Sequence, residues 1–343
     1  MKPNRTNIMA TLADNRTTPE FVAELYSRGM RGVRINSAHV NPESIGRIIS
    51  TVRSVSPDIR ILMDTKGPEM RTTALVDGLE GIMLEKGTEV AVTGGSGQTT
   101  AREIYLNAMS LGKCLKSGNR LFIDDGAIVL EVVEIAGNDS VKCVVVDGAV
   151  LGSRKSVSLS EDAVIPKLPA VSERDRINIA AALDCGIDII AHSFVRSADD
   201  VRQVRAELGN APVTLYAKVE SREALEDLDE IAAAADGLLV ARGDLGAQIP
   251  IERVPAVQAR IMELCRRTGK SSIVSTQILQ SMMVNAAPTR AEVSDIALGV
   301  MQGADWLLLT GETALGAHPA ECVDVMRRTI EETSEYLSLC SAK

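Results

Sequence analysis

Lys218 and Glu220 stand two residues apart in YAKVES, and in an extended chain that spacing sends both side chains to one face. Similar polar residues close other apolar runs: Arg34 and Asn36 in GVRIN, Asp64, Thr65 and Lys66 in RILMDTK, Arg242, Gly243 and Asp244 in VARGDLG, Thr276 in IVST, Thr310 and Glu312 in LLLTGET. Glu220 and Asp244 offer oxygen alone, with no cysteine or histidine cluster beside them, a donor set that suits Mg²⁺ or Mn²⁺ and not zinc. Arg34 and Lys218 supply positive charge for a phosphate or an enolate. The backbone N–H groups of GDLG (243–246) could receive a carboxylate. Taken singly, each residue reads as a rim charge or a turn; their recurrence at the ends of successive apolar runs points to a site.

The elements that must position them follow a regular alternation. Apolar runs at 7–12, 32–36, 60–65, 188–194, 213–220, 237–242, 271–276 and 305–311 predict eight strands, with amphipathic helices between them, several closed by glycine. Eight evenly spaced units predict an α/β fold, a (β/α)₈ TIM barrel, over an open doubly wound sheet. In such a barrel, reactive residues gather at the C-terminal ends of the strands. The third strand is followed instead by short β-like runs (TEVAVT, NRLFIDD, AIVLEVVEI, SVKCVVVDGAV, SVSLS) broken by glycine-rich turns, which predicts a small antiparallel β domain inserted there. The expected division is barrel at 1–71, inserted domain at 72–166 and barrel again at 167–343.

Apolar residues make up 45% of the chain and aromatics only 2%, so the core must be aliphatic, as parallel strands buried on both faces require. A net charge of -9 without a basic run argues against nucleic acid or an anionic membrane as partner. The six cysteines are far apart, with no CxxC pair, and the start MKPNRTN is polar, which predicts reduced thiols in a cytoplasmic protein. No apolar stretch reaches the ~18 residues a membrane span needs.

Taken together, the blocks DTKGPEMRT (64–72), LPAVSERD (168–175), KVES (218–221), VARGDLG (240–246), STQILQSM (275–282), PTRAEVSD (288–295) and TGETALG (310–316) make the chain resemble the pyruvate kinase family, from its first strand to about residue 336. The resemblance implies a TIM barrel with a β lid after strand three, and transfer of a phosphoryl group from phosphoenolpyruvate to ADP to give pyruvate and ATP. By position it gives Lys218 to the charge on the transferring phosphoryl group and Arg34 to its phosphate. Glu220 and Asp244 would ligate Mg²⁺ (or Mn²⁺); the backbone at Gly243 and Asp244 and the hydroxyl of Thr276 would take the substrate carboxylate, with Phe194 beside Lys218. ADP would meet Arg71, His39 and Lys155, while Asp125 would approach the metal from the lid. K⁺ would use Asn36, Asp64 and the backbone of Thr65, and Glu69 matches the K⁺-requiring members. The family's C-terminal regulatory domain would begin after YLSLCSAK, so control by a sugar phosphate bound there is not expected, whereas a homodimer through barrel helices is.

Three stretches depart from the family pattern. Ala38 stands where the family has a serine that ligates K⁺, so a water is expected in that place, with Ser37 on the opposite face. Ala13, Asp14, Asn15 and Arg16 replace Gly-Pro-Ala-Ser beside the nucleotide, and Asp14 is expected either to face the ribose or to pair with Arg16. In the lid, SVSLSE (156–161) replaces Gly-Val-Asn-Leu-Pro-Gly. Two other readings remain open: a different enzyme of phosphoenolpyruvate or pyruvate-enolate chemistry, and a catalytically weak regulatory paralogue.

Overall fold

In a computed structural model, which describes residues 6–341 apart from Asp125, Glu161, Ile165 and Lys167, the eight long apolar runs close into a barrel. Its strands are β1 (Asn7–Leu12), β2 (Met30–Asn36), β3 (Arg60–Asp64), β12 (Ile189–His192), β13 (Thr214–Val219), β14 (Gly237–Ala241), β15 (Ser271–Ser275) and β16 (Trp306–Leu309). All eight pairings are parallel, and β1 closes the ring on β16. The helices that return the chain are α1 (Pro19–Ser27), α2 (Pro42–Val55), α4 (Glu173–Asp184), α5 (Ala198–Leu208), the pair α6 (Arg222–Glu226) and α7 (Leu228–Ala234), α9 (Val254–Thr268), α10 (Arg290–Met301) and α12 (Pro319–Ser341). Two short helices, α8 (Arg242–Gln248) and α11 (Gly311–Ala314), follow β14 and β16 directly. None of the described helices is long and apolar enough to cross a membrane.

Strand periodicity sorts the barrel into two layers. Met9, Leu62, Ile189, Ala191, Tyr216, Leu239, Ala241, Ile273 and Leu308 fill the interior, while their neighbours Ile8, Ile61, Ile190, Leu215, Leu238 and Val274 pack against the helices. The two interior aromatics find room against glycine. A Cβ on Gly32 would stand 2.9 Å from the Trp306 ring, and one on Gly237 2.4 Å from the Tyr216 ring.

The chain divides into two compact units, residues 1–67 with 170–343, and residues 68–169. The second has its own apolar core, including Val92, Ile104, Leu121, Leu130, Val141 and Val145. Its six-stranded sheet has the order β11-β7-β8-β9-β5-β6, from β5 (Glu89–Gly94), β6 (Glu103–Leu106), β7 (Arg120–Ile123), β8 (Ile128–Ile135), β9 (Ser140–Asp147) and β11 (Val157–Leu159). A two-stranded ladder joins β4 (Ile82–Met83) to β10 (Val150–Leu151), and one helical turn, α3 (Leu111–Cys114), precedes β7.

The structure corrects the expected elements in three places. The sheet is not wholly antiparallel, because β5 and β6 pair in parallel. The amphipathic helix expected between the runs at 213–220 and 237–242 is two helices, which meet at Asp227, whose carboxylate accepts the Ala198 N–H at 2.7 Å. Six of the eight barrel strands end one or two residues earlier than expected, and the freed positions form the turns that bear polar side chains.

Candidate active site

The interior register of the barrel continues upward into charged residues. Gly32 and Leu62 face inward, so Arg34, Asn36 and Asp64 do as well; Tyr216 faces inward, so Lys218 and Glu220 follow it. Strand pairing sets Arg34 opposite Leu62 and Asn36 opposite Asp64. These side chains meet. Arg34 donates from Nε to Asp64 Oδ2 at 3.1 Å and pairs with the same oxygen through Nη2, and its Nη1 reaches Thr11 Oγ1 at 3.4 Å. Lys218 Nζ lies 3.5 Å from Asp64 Oδ2 and 3.3 Å from Glu220 Oε2, and donates to Ser193 Oγ at 2.8 Å.

Burial sets the electrostatics here. Glu220 is wholly buried, with Oε1 accepting the Phe194 N–H at 2.7 Å. Desolvation pushes its carboxyl up to about 7, against the pull of Lys218 and with Asp244 adding to the rise. Burial works to lower Lys218, but the carboxylates of Glu220 and Asp64 outweigh it, so the ammonium is held above its ordinary value. Two buried carboxylate oxygens, Glu220 Oε2 and Asp64 Oδ1, accept no hydrogen bond among the described residues. Such oxygens are costly to leave unpaired, and they suit a hard cation.

Around this centre lie three backbone outliers of the barrel unit. Phe194, Thr276 and Gln277 have φ of 53°, 68° and 52°, and all three follow a barrel strand directly or within two residues. Arg242 braces the Thr276 turn, donating to Ser275 O at 3.2 Å and Thr276 O at 2.7 Å while pairing with Asp295 at 2.7 Å. Thr276 Oγ1 accepts the Gly243 N–H at 2.7 Å and donates to Ser275 O at 2.7 Å. Asp244 is exposed in the first turn of α8.

Asn36 Oδ1 accepts the Ala38 N–H at 3.1 Å, Ser37 is buried with its Oγ lacking a partner among the described residues, and His39 is exposed. The Thr65 carbonyl accepts Ser193 Oγ at 2.6 Å, and Thr65 Oγ1 lies 2.8 Å from His192 Nδ1. Arg71 and Lys155 belong to the inserted unit, where the antiparallel bridge from Arg71 to Ser156 sets their chain segments side by side. There Arg71 pairs with Glu69 and donates to Arg154 O at 2.7 Å, and Lys155 pairs with Asp124 at 2.8 Å. Asp125 lies outside the described residues.

Two features differ from the sequence reading or escape it. Asp14 does not pair with Arg16: its carboxylate is taken by Arg47 and by Ser44 Oγ at 2.8 Å, both from α2, whereas Arg16 donates to Gly316 O at 2.9 Å. Ser193 is the second feature. Its hydroxyl links Lys218 to the Thr65 carbonyl, and nothing in HSFVR marks it beyond lying next to Phe194. By contrast Glu312 spends its carboxylate on the backbone N–H groups of Ile278, Leu279 and Thr310, the bland outcome for a charge at a strand end.

A family model described as the barrel domain of pyruvate kinase matches residues 3–323. The chain belongs to the pyruvate kinase family. It is 35% identical to a pyruvate kinase of Borreliella burgdorferi over 334 residues, covering 96% of this chain and 69% of that one. It is 36% identical to one of Staphylococcus epidermidis (98% and 59% covered) and 37% identical to one of Methylorubrum extorquens (100% and 72% covered). A crystal structure of a pyruvate kinase from Cryptosporidium parvum superposes with a TM-score of 0.88 at 32% identity, covering 96% of this chain and 69% of that one. The chain thus spans between about six and seven tenths of the length of these relatives. Members of the pyruvate kinase family are phosphotransferases, and the family model's match takes in all of residues 68–169 and most of the barrel unit.

Proposed function

We propose that the protein transfers a phosphoryl group from phosphoenolpyruvate to ADP or another nucleoside diphosphate, leaving pyruvate. The observation that carries this reading is the buried cluster of Arg34, Lys218, Asp64 and Glu220, in which two carboxylate oxygens accept no hydrogen bond among the described residues beside a guanidinium and an ammonium. Phosphoryl transfer needs positioning and neutralised charge more than covalent help, and this cluster supplies both. Arg34 holds the substrate phosphate, with Asp64 fixing its guanidinium plane. Lys218 faces the transferring group, and Ser193 and Glu220 keep its ammonium aimed and charged.

Glu220 and Asp244 are the residues that would hold Mg²⁺ or Mn²⁺, and the buried Glu220 Oε2, which accepts no hydrogen bond among the described residues, fits that role. Bound there, a divalent ion neutralises charge on the phosphate and on the enolate oxygen. Asn36, Asp64 and the Thr65 carbonyl would hold K⁺, for which the free Asp64 Oδ1 is a fitting donor. Thr276 Oγ1 and the N–H groups of Gly243 and Asp244 receive the substrate carboxylate. Because Thr276 and Gly243 bond to each other without substrate, they exchange that bond for the carboxylate on binding. Thr276 also lies on the side from which the enolate is protonated. Arg71, Lys155 and His39 serve the nucleotide. The compensation of Asp14 by Arg47 removes the charge conflict a bare carboxylate would pose there, costing about 4 kcal/mol at 4 Å from a phosphate.

A cytoplasmic location accords with six free cysteines, and a homodimer through barrel helices with the exposed Leu298 and Met301 of α10. The reaction is tested by incubating the protein with phosphoenolpyruvate, Mg²⁺ and a panel of nucleoside diphosphates, with and without K⁺. Pyruvate formed with at least one diphosphate and stimulated by K⁺ is expected. Tight binding of oxalate with Mg²⁺ but no turnover of any diphosphate would favour another enolate reaction.

A further inference from the structure

β2 and β3 end in Asn36 and Asp64, the loops after them carry His39 and Thr65, and both loops are fastened to the start of α4. On the β2 side, Arg174 Nη2 donates to the carbonyls of Ser37, Ala38 and Val40 at 3.4, 3.1 and 3.2 Å, and Asn178 Nδ2 lies 3.5 Å from Ser37 O. On the β3 side, the buried Asp175 carboxylate accepts the Lys66 N–H at 2.7 Å and the Gly67 N–H at 3.3 Å. A helix cap alone does not call for this. The capping box of α4 needs only Ser172 and Asp175, whose mutual bonds are made as well, from the Asp175 N–H to Ser172 Oγ at 3.1 Å and from the Ser172 N–H to Asp175 Oδ2 at 3.4 Å. The bonds from Arg174, Asn178 and Asp175 to the two loops are additional and contribute nothing to the helix. The same turn also stands where the chain crosses between its units, since residue 67 leaves the barrel unit and residue 170 returns to it. Gly67 is pressed against Ser193, so that a Cβ there would stand 2.2 Å from Ser193 O, and the loop therefore has little room to settle elsewhere.

We propose that Arg174, seconded by Asp175 and Asn178, is a positioning residue of the site. Three carbonyls of the β2 loop turn toward one guanidinium nitrogen, which fixes the curl that presents Asn36 and His39. Two amides of the β3 loop fixed by the neighbouring Asp175 give the height of Asp64 and Thr65 in the same frame. One helical turn thus sets the nucleotide and monovalent-cation side of the site, while Lys218, Glu220 and Asp244, at the ends of β13 and β14, make no bond to it among the described residues. This rests on the phosphotransfer reading above.

The test compares Arg174→Ala and Arg174→Lys with the wild type by steady-state kinetics and, without any ligand, by amide hydrogen exchange. For Arg174→Ala, the half-saturating concentrations of ADP and of K⁺ are expected to rise about tenfold, the loss of one charge-assisted bond, while that of phosphoenolpyruvate stays within about twofold. Arg174→Lys should recover part of the loss. In the ligand-free protein, exchange over residues 36–41 should quicken about tenfold, with the barrel-strand peptides unchanged. A fall in kcat alone in proportion to lost folded protein, equal changes for all three ligands, or no change would overturn the proposal. If the wild type turns over no diphosphate, the phosphotransfer reading fails by itself, and the exchange experiment decides the positioning claim: unaltered or globally raised exchange in Arg174→Ala refutes it.

Discussion

At the residue scale, the buried Glu220 carboxyl is the group whose protonation is most tightly tied to the metal. Its rise to about 7 means that the ligand-free protein carries a proton there across the mildly acidic range. A divalent ion must displace that proton. Affinity for Mg²⁺ is therefore expected to fall as pH drops below 7, by up to about tenfold per pH unit, with proton release visible in calorimetry across buffers of different ionisation enthalpy. A pH-independent affinity between 5 and 7 would contradict the assignment. His192 behaves in the opposite sense. Burial lowers it to about 4, so the folded state keeps it neutral while the unfolded chain takes up a proton near 6.5. Its contribution to stability is full above that value and is lost as pH falls through 4, a term of about 3 kcal/mol across the window. His192→Gln should flatten the pH dependence of urea unfolding between 6.5 and 4, and an unaltered slope would show that other groups dominate.

At the scale of elements, glycine opposite an interior aromatic is a packing device with a measurable consequence. Gly32→Ala would push a methyl group to 2.9 Å from the Trp306 ring and 3.0 Å from Met9 Cε, overpacking worth about 1–3 kcal/mol. Urea denaturation should show that loss, and a paired Trp306→Leu change should recover part of it; a neutral Gly32→Ala would mean the layer yields easily. The eight barrel strands were legible because long, two-sidedly buried aliphatic runs have few alternatives, and the period of two then fixed which polar residues face inward. The two-residue β4 and four-residue β6 are too short to announce themselves, and β4 pairs with β10, a segment far away in the chain. For the same reason the partner of Asp14 was not legible. Arg16, two residues away, was the local candidate, whereas Arg47 arrives by the packing of α2. The positions of Lys218, Glu220, Arg34 and Asp64 in the site could be inferred from the strands, but the linking role of Ser193 required the fold.

At the scale of the whole molecule, each of the two units has its own hydrophobic core, and the charged cluster belongs wholly to the barrel unit. The net charge of -9 makes the local convergence of Arg34 and Lys218, each paired with a buried carboxylate, more telling, since acidic residues outnumber basic ones over the chain as a whole. Lys218 is the residue on which the account turns, so the most direct measurement is pyruvate formation from phosphoenolpyruvate with Mg²⁺, K⁺ and the best diphosphate, in wild type and in Lys218→Met. The account predicts turnover by the wild type and a loss of at least about 10²-fold in kcat for the variant, the scale of removing one preorganised charge, with folding retained. Undiminished turnover by a folded Lys218→Met protein would contradict it.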